Sequence, residues 1–294
     1  MTVAVAGASG VVGRAVVRAL VPRDPEVRAL VRRPAPVEDL RTLGAKVAVG
    51  RLDDAVWLEL VFHDAESVVH LVGGMAEADE EAYRAAIRDP LRASLAAARR
   101  AGVQRFLFVS RPGASPNAPH PLLRVLGEAE ELVAASGIPH ATIRATHAYG
   151  VGGLWFTAFV QGALQRPAEV VGPGTQILAP VLADDLAAVL AAADDARDLP
   201  PGPWGAEGPD RVAADGLARL LAGDGDIRHL SPEEAAPRLS ALLERPFPLP
   251  ACALMAMDSV ADAPDAFAAF GVPRTSLADG LRRTLERAGR GLGG

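Results

Sequence analysis

The sequence predicts an α/β protein with a doubly wound parallel β-sheet, followed by a small, mostly helical region. Short β-branched runs alternate with longer amphipathic stretches through the first half of the 294-residue chain. The strand-like runs are apolar almost throughout, as expected for strands that are covered on both faces. Half of all residues are apolar, so the chain can bury a large core.

Six strands and five helices are predicted before residue 150. The β-branched runs predict strands at residues 3–6, 27–31, 46–49, 67–71, 105–110 and 140–144. The amphipathic stretches between them predict helices at residues 12–20, 38–43, 54–62, about 80–100 and 122–135. We therefore expect residues 1–150 to form one domain built around the sheet.

The regular alternation ends after Tyr149. A glycine-rich turn leads into an apolar segment, 154–164, and a strand-like run, 177–182, leads to Asp184, a predicted N-cap for a helix at 185–193. A Pro- and Gly-rich break at 199–205 precedes predicted helices at 214–221, 232–243 and 277–288. We expect 151–294 to bind the substrate, with about 176–196 returning to the sheet.

Charge and cysteine content restrict the class of protein. The formal net charge is -6, so the chain lacks the excess of positive charge that binds a polyanion, and no nucleic-acid partner is expected. The single cysteine, Cys252, excludes a disulfide framework and any CxxC motif, which favours a reducing compartment. With no signal-like start and no long apolar window, the sequence predicts a cytoplasmic protein without a membrane partner.

A glycine-rich GxxGxxG loop directly follows the first strand and directly precedes the first helix. In that context the first glycine permits a tight turn, the second admits a pyrophosphate, and the third allows close helix packing. The helix N-terminus adds a favourable dipole for phosphate. The loop predicts a Rossmann dinucleotide-binding domain, with the phosphates at Gly7, Ser9, Gly10, Val11, Val12 and Gly13.

The end of the second strand favours NADP over NAD. An acid there would accept a hydrogen bond from a ribose 2'-hydroxyl, whereas an arginine would pair with a 2'-phosphate. The chain has Arg32 and Arg33 at this position and no acid before Glu38. The alternative is that both arginines are simply solvated.

Several segments together resemble the atypical and extended short-chain dehydrogenases/reductases, which include NmrA-like and epimerase-like NAD(P)-binding proteins. The resemblance covers most of the chain and rests on the glycine loop and on the segments 27–32, 70–74, 101–110, 127–131, 136–139, 142–144, 149–150 and 181–186. It implies that Val72, Gly73 and Gly74 pass close under the cofactor and that Ser110 lies beside the nicotinamide. After the third strand the family often has Gly-Asp, whereas this chain has Gly50-Arg51-Leu52-Asp53. This departure weakens the resemblance at the adenine end, where Leu52 and Asp53 are still expected to contact the cofactor.

The sequence departs from this family at its usual Tyr-x-x-x-Lys pair. On the matching helix the tyrosine position falls on Leu122 and the lysine position on Leu126, and neither side chain can transfer a proton. The chain's one lysine is Lys46, and neither Tyr83 nor Tyr149 has a lysine four residues later. Any proton transfer must therefore come from other groups.

Four residues remain as candidate catalytic groups. Tyr149 and His147 follow the sixth strand at the carboxyl edge of the sheet, where ligands bind in such folds. His120 precedes the altered helix, and Ser110 can donate a hydrogen bond to a carbonyl oxygen. The alternatives are that Tyr149 packs in the core and that the histidines cap or face solvent. His63 and His70 lack metal-ligand spacing, so no metal is expected.

The leading hypothesis is an NADP-dependent oxidoreductase that works without the usual dyad, on a hydrophobic, polycyclic or quinone-like substrate of secondary metabolism. Its apolar pocket is predicted to contain Leu122, Leu126, Leu154, Trp155 and Phe156. One alternative is a redox-neutral cyclase, dehydratase or isomerase on the same fold. Another is a non-catalytic NADP sensor of the NmrA-like kind. Family resemblance implies a monomer or a homodimer.

Overall fold

The computed structural model describes residues 1–32 and 37–291, and it confirms an α/β fold around a parallel sheet. Arg33, one of the two predicted phosphate ligands, lies outside the described residues. The strands within the described ranges are β1 (Thr2–Ala6), β2 (Glu26–Val31), β3 (Lys46–Val49), β4 (Ser67–His70), β5 (Arg105–Ser110), β6 (His140–Ala145), β7 (Ala148–Tyr149), β8 (Ala168–Val171), β9 (Ile177–Leu178), β10 (Val181–Leu182), β11 (Trp204–Ala206), β12 (Val212–Ala213) and β13 (Ile227–Leu230).

Helices connect these strands and cover both faces of the sheet. In the same described ranges they are α1 (Val11–Leu20), α2 (Glu38–Thr42), α3 (Ala55–Phe62), α4 (Glu80–Tyr83), α5 (Asp89–Ala101), α6 (Pro121–Ala134), α7 (Leu154–Ala163), α8 (Ala183–Asp195), α9 (Ala214–Ala222), α10 (Pro232–Leu242), α11 (Leu249–Met255), α12 (Ala266–Phe270) and α13 (Leu277–Gly291). Among them, no helix is long and apolar enough to cross a membrane.

The central sheet has the order β11-β6-β5-β4-β1-β2-β3, and its neighbouring strands all run parallel. The six strands predicted from sequence are all present, with ends that differ by at most one residue. From β1 the sheet is extended on one side by β2 and β3 and on the other side by β4, β5 and β6, so the direction in which strands are added reverses between β1 and β4. In doubly wound sheets this switch point opens a crevice at the carboxyl ends of the strands, where ligands bind.

The seventh strand, β11, was not predicted. Its residues lie in the Pro- and Gly-rich segment that we interpreted as a break, but Trp204 pairs with Ile143 and Ala206 with Ala145 at the edge of the sheet. An edge strand tolerates neighbouring prolines because one of its sides needs no ladder hydrogen bonds. The run is also too short to show the period of a strand.

Two further sequence predictions need correction. Asp184 does not cap α8, because the helix begins at Ala183 with Leu182 at the N-cap and no side-chain cap. Asp184 lies instead in the first helical turn, where its carboxylate accepts a hydrogen bond from Arg18 at 3.1 Å. The predicted strand at 177–182 is split into β9 and β10, which flank Pro180.

The predicted single helix at 80–100 is also interrupted. A π-helical turn, Arg84–Arg88, joins α4 to α5. Pro90 follows it and has no backbone N–H, so the helical bond to the carbonyl of residue 86 cannot form. The N–H of Asp89 donates to the carbonyl of Arg84 instead, which widens the helix at this point.

Three apolar clusters hold the molecule together. One packs α1 and α8 against one face of the sheet, and a second packs α3, α5 and α6 against the other face. The third contains the aromatic residues of α7, together with α9, α10, α11 and α13. This third cluster is mostly helical, as the sequence predicts, and it lies over the carboxyl ends of the strands through α7.

Candidate cofactor and substrate site

A cavity of about 370 Å³ opens at the carboxyl ends of β1, β4, β5 and β6. Its volume falls within the range of small-molecule sites. The residues after each of these four strands line the cavity, and so do residues of α6 and α7. The lining consists of Gly7, Gly10, Val11, Val12, Gly13, Leu71, Val72, Gly73, Gly74, Met75, Ile87, Val109, Ser110, Arg111, Leu122, Leu126, Ala145, Thr146, His147, Ala148, Gly152, Gly153, Leu154, Trp155 and Leu186.

The glycine loop is built so that only hydrogen fits at two of its positions. Gly7 adopts a φ of +86°, and a Cβ there would lie 3.0 Å from the carbonyl carbon of Leu71. A Cβ on Gly13 would lie 2.7 Å from Cα of Ala8, so α1 could not pack as closely on the loop. Gly10 is the N-cap of α1, and it leaves the helix N-terminus open to the cavity.

The loop after β4 lies directly beside the glycine loop, since a Cβ on Gly7 would lie 3.2 Å from the backbone nitrogen of Val72. Val72, Gly73 and Gly74 all line the cavity. No neighbouring atom lies within 4 Å of a Cβ built on Gly73, so the backbone there faces open space. Backbone amides of both loops are therefore accessible to a bound dinucleotide.

The predicted adenine-end residues lie away from this cavity. Leu52 is buried in the core cluster beneath α3, and Asp53 is exposed and bound to Arg51, with 2.9 Å between Oδ1 and Nε. Arg32 is exposed after β2. Asp39 of α2 accepts a hydrogen bond from Nε of Arg14 at 2.5 Å, and both residues line a groove that continues from Ser9 and Gly10.

Ser110 and His147 are the two candidate catalytic residues that line the cavity. Ser110 is 1% exposed at the end of β5, and its Oγ has no hydrogen-bond partner among the described residues. His147 is 2% exposed after β6, and neither ring nitrogen has a partner in that part of the chain. Its ring stacks on Trp155 at 4.4 Å. Burial, together with the charge of Arg111, holds the pKa of His147 well below its usual value.

His120 does not line the cavity and acts as a helix cap. Its Nδ1 accepts a hydrogen bond from the backbone N–H of Leu122 at 3.2 Å, at the start of α6. Its Nε2 lies 2.9 Å from the carbonyl oxygen of Pro250, to which it can donate. Both nitrogens are therefore engaged, and burial lowers the pKa of the ring.

Tyr149 also lies outside the cavity. Its side chain is 1% exposed and packs against Phe156, with ring centroids 5.6 Å apart, and against α13. A Cβ on Gly280 would lie 2.9 Å from Cζ of Tyr149, so the phenol ring fills the space above that glycine. Burial raises the pKa of Tyr149, which makes its hydroxyl a poorer acid.

The apolar wall is formed by Leu122, Leu126, Leu154 and Trp155, all of which line the cavity. Phe156, predicted to join them, faces Tyr149 in the third cluster instead. Sequence reasoning missed Ile87 and Arg111. Ile87 reaches the cavity from the π-helical turn, which no periodicity indicates, whereas Arg111 directly follows Ser110 and could have been found from that neighbour.

Acidic and sulfur ligands do not converge anywhere in the part of the chain that the structure describes. No group of three or more His, Cys, Asp or Glu side chains could hold a metal ion there.

Comparison with known proteins finds a family match in the part of the chain that contains the glycine loop. Residues 7–150 match a family model described as NAD(P)H-binding. Over 190 residues the chain is 30% identical to the ceramide reductase of Caulobacter vibrioides, which covers 65% of this chain and 60% of that protein. It is 31% identical over 134 residues to an NAD(P)H azoreductase of Xenophilus azovorans, covering 46% of this chain and 44% of the other. In both cases the chain spans less than two thirds of its relative.

Solved structures show the same fold over nearly the whole chain. The UDP-glucose 4-epimerase of Thermotoga maritima, determined with UDP-glucose, superposes with a TM-score of 0.76 at 19% identity, covering 99% of this chain and 100% of the other. MoeE5, determined with UDP-glucose and NAD, superposes with a TM-score of 0.72 at 21% identity and the same coverage. At these identities the likeness shows the fold alone.

Proposed function

We propose that the chain is an NADP-dependent reductase of a hydrophobic, quinone-like substrate, because residues 7–150 match an NAD(P)H-binding family model. The observation that carries the proposal is a single cavity that contains the glycine loop, Ser110, His147 and an apolar wall. Two relatives that are named as reductases support a redox reaction over a redox-neutral one.

The residues present fit a dinucleotide. Gly7 and Gly13 leave no room for a Cβ, so backbone amides can approach a pyrophosphate, and the N-terminus of α1 faces the cavity. A bound NADPH would supply a hydride at its nicotinamide ring. The Oγ of Ser110, which has no partner among the described residues, could then donate a hydrogen bond to the carbonyl oxygen of the substrate.

The cavity suits acceptors that need little proton assistance. Leu122 and Leu126 replace the usual proton-transfer pair, and Tyr149 lies outside the cavity. His147 is neutral at pH 7 because burial lowers its pKa, so it is a poor proton donor. A quinone accepts hydride to give a stable phenolate-type anion, which can take its proton from water after release. Trp155 and the leucines offer such a ring system an apolar surface.

The exposed Arg32 and the ion-paired Asp39 support NADP rather than NAD. Arg32 is an exposed cation at the end of β2, where a 2'-phosphate would lie. Asp39, which lines the groove, is bound to Arg14 and is less available to a ribose hydroxyl. We therefore expect tighter binding of NADPH than of NADH.

A charge placed at Gly10 tests the cofactor site. Gly10 is exposed, its φ is −74°, and a Cβ there would lie 3.5 Å from the nearest atom, so side chains are tolerated. Asp and Asn are both good N-caps, so Gly10→Asp and Gly10→Asn should fold alike. We expect Gly10→Asp to weaken NADPH binding at least about tenfold more than Gly10→Asn, because the carboxylate repels the phosphates. Equal binding by the two variants, measured by calorimetry, would contradict the proposed phosphate site.

Turnover tests the reaction itself. Purified protein and NADPH are combined with menadione, an azo dye or benzylideneacetone, and NADPH oxidation is followed by absorbance. Oxidation that is lost in Gly10→Asp supports the reductase proposal. Tight NADPH binding without oxidation of NADPH by any acceptor class would contradict it and leave a redox-neutral enzyme or a sensor.

Location and assembly are part of the same proposal. A single buried cysteine, Cys252, is consistent with a reducing compartment, so we propose a cytoplasmic protein of secondary metabolism that works as a monomer or homodimer. Fractionation of the source cells and light scattering of the purified chain test these two points. Recovery in a membrane or secreted fraction, or a larger assembly, would contradict them.

A further inference from the structure

Arg111 is the one cation that lines the main cavity within the described residues. It follows Ser110 at the end of β5 and also lines a second cavity of about 190 Å³, next to His147. The side chain is half-buried, and its guanidinium makes no hydrogen bond or ion pair in residues 1–32 and 37–291. Burial lowers its pKa to about 10, so the charge is retained at neutral pH but is poorly solvated.

Other arginines around the cavity are paired, which makes Arg111 distinctive. Arg124 of α6 binds Glu80, with 2.9 Å between Nε and the carboxylate. Arg144 of β6 binds Glu130 at 2.7 Å and Asp262 at 3.0 Å. A half-buried charge without a partner costs free energy, and a ligand of opposite charge would recover part of that cost.

The carboxylates closest to Arg111 along the second cavity are engaged elsewhere. Asp262 accepts hydrogen bonds from the backbone N–H of Gly113 at 2.7 Å and from Arg144. Asp258 accepts one from the backbone N–H of Ile177 at 2.7 Å. Neither acid neutralises Arg111, so the positive charge is directed to the cavities.

Arg111 is accompanied by two other polar side chains without partners. Ser110 and His147 are both more than nine-tenths buried, they line the same cavity, and their polar side-chain atoms have no partner in the described chain. A guanidinium, a hydroxyl and a neutral imidazole can each donate a hydrogen bond, and together they suit an oxygen that carries negative charge.

We propose that Arg111, Ser110 and His147 form an oxyanion-binding subsite, and that the substrate is an apolar ring compound with an ionised oxygen, such as an enolate, phenolate or carboxylate. The inference rests on the proposed function for the reaction, but it concerns the ligand alone. The ring would lie on Leu122, Leu126 and Trp155, and the charged oxygen would face Arg111.

A cofactor phosphate is the competing partner for Arg111, and the sheet order disfavours it. The phosphate loop follows β1, whereas Arg111 follows β5, and β4 lies between them. Neighbouring strands are about 4.8 Å apart, so the two strand ends are separated by about 10 Å. Arg111 therefore lies on the substrate side of the crevice.

The test uses two ring compounds that differ in charge. 2-Hydroxy-1,4-naphthoquinone is ionised at neutral pH, whereas 2-methoxy-1,4-naphthoquinone is neutral and of similar shape. Their binding to the full chain is measured by calorimetry, with and without saturating NADP+, which cannot reduce them. We expect the wild type to bind the ionised compound about tenfold more tightly or better, since charge-assisted hydrogen bonds are strong.

Variants assign that preference to Arg111. Arg111→Met keeps an unbranched apolar stem but removes the guanidinium and its charge, and Arg92→Met is the matched control, at a guanidinium that is 60% exposed. We expect Arg111→Met to lose the preference for the ionised compound and to retain its affinity for the neutral compound and for NADP+. Arg111→Lys should keep part of the preference, and Arg92→Met all of it.

Three results would overturn the proposal. The wild type could bind both compounds equally, Arg111→Met could weaken both equally, or Arg111→Met could weaken NADP+ binding instead, which would assign Arg111 to a cofactor phosphate. Failure of the chain to bind any dinucleotide would contradict the reductase proposal only. The oxyanion-binding subsite would still be tested by whether the chain without a dinucleotide binds the ionised compound more tightly than the neutral one.

Discussion

The two ends of the cavity are built in different ways. The glycine-loop end consists of backbone, with Gly7 and Gly13 pressed against neighbouring main-chain atoms and Gly10 exposed between them. The substrate end consists of side chains from distant segments, Ser110 and Arg111 after β5 and His147 after β6. The backbone end can bind only what fits its main chain, whereas the side-chain end can change its chemistry without a change of fold.

Helix α6 illustrates that freedom. Leu122 and Leu126 are 2% and 5% exposed at the positions where the resembled family has its proton-transfer pair, and both pack into the core as ordinary apolar residues. The helix keeps its place through ion pairs across its other face, between Glu128 and Arg84 and between Arg124 and Glu80. The helix is therefore packed and ion-paired with apolar side chains at both of these positions.

The largest effect is expected at the backbone end, for Gly13→Ala. The new Cβ would lie 2.7 Å from Cα of Ala8, and α1 would have to move away from the loop. We expect a loss of about 3 kcal/mol in the free energy of unfolding, measured by urea denaturation, together with weaker NADPH binding.

Gly225→Ala is the matched control for this variant. No neighbouring atom lies within 4 Å of a Cβ built on Gly225. The same added methyl group should therefore change stability by less than about 0.5 kcal/mol. If the two variants were equally stable, close packing could not be what distinguishes the glycine loop.

A pH-dependent effect is expected at the side-chain end, from His147. Its pKa is lowered in the folded protein, mainly by burial, whereas the unfolded chain takes up a proton near pH 6.5. As the pH falls below that value the unfolded state binds more protons, so the free energy of unfolding decreases. His147→Phe, which can keep the stacking on Trp155, should reduce this acid sensitivity by about 1 kcal/mol between pH 6 and pH 5.

His63→Phe provides the control, because His63 is 74% exposed. We expect this variant to keep the full acid sensitivity of the wild type. His70, buried beneath the cavity with its pKa lowered to about 3, remains in both variants, so part of the sensitivity persists. A His147→Phe protein as acid-sensitive as the wild type would show that His147 is solvated or paired in solution.

The same contrast explains what the sequence could predict. The glycine loop is a local pattern, seven residues between a strand and a helix, and its structure follows from sterics within that window. Six strands of the sheet are also predicted from local sequence, because each one is a continuous apolar run. The strand β11 was missed because its three residues pair with β6 only in the folded chain.

The substrate end was only partly predictable because it depends on side-chain direction. Tyr149 and Phe156 have the right residue types near the right strand, but both turn toward α13 and the third cluster. His120 is used to cap α6. Ile87 reaches the cavity through a π-helical turn, and Arg111 is recognised as unusual only when its lack of partners is seen. Partners that come from distant segments leave no periodic signal.

The smallest effect is expected at Arg32, which we propose to lie near the ribose of the cofactor. Arg32 is an exposed side chain directly after β2. If it pairs with a 2'-phosphate, Arg32→Ala should weaken NADPH binding about tenfold and leave NADH binding unchanged, since one charge-assisted hydrogen bond is lost. Calorimetric titration with both dinucleotides measures the ratio, and Arg92→Ala, at another exposed arginine, should leave it unaltered. Equal losses for NADPH and NADH would mean that Arg32 acts through the shared pyrophosphate or the adenine, and that the preference for NADP has another origin.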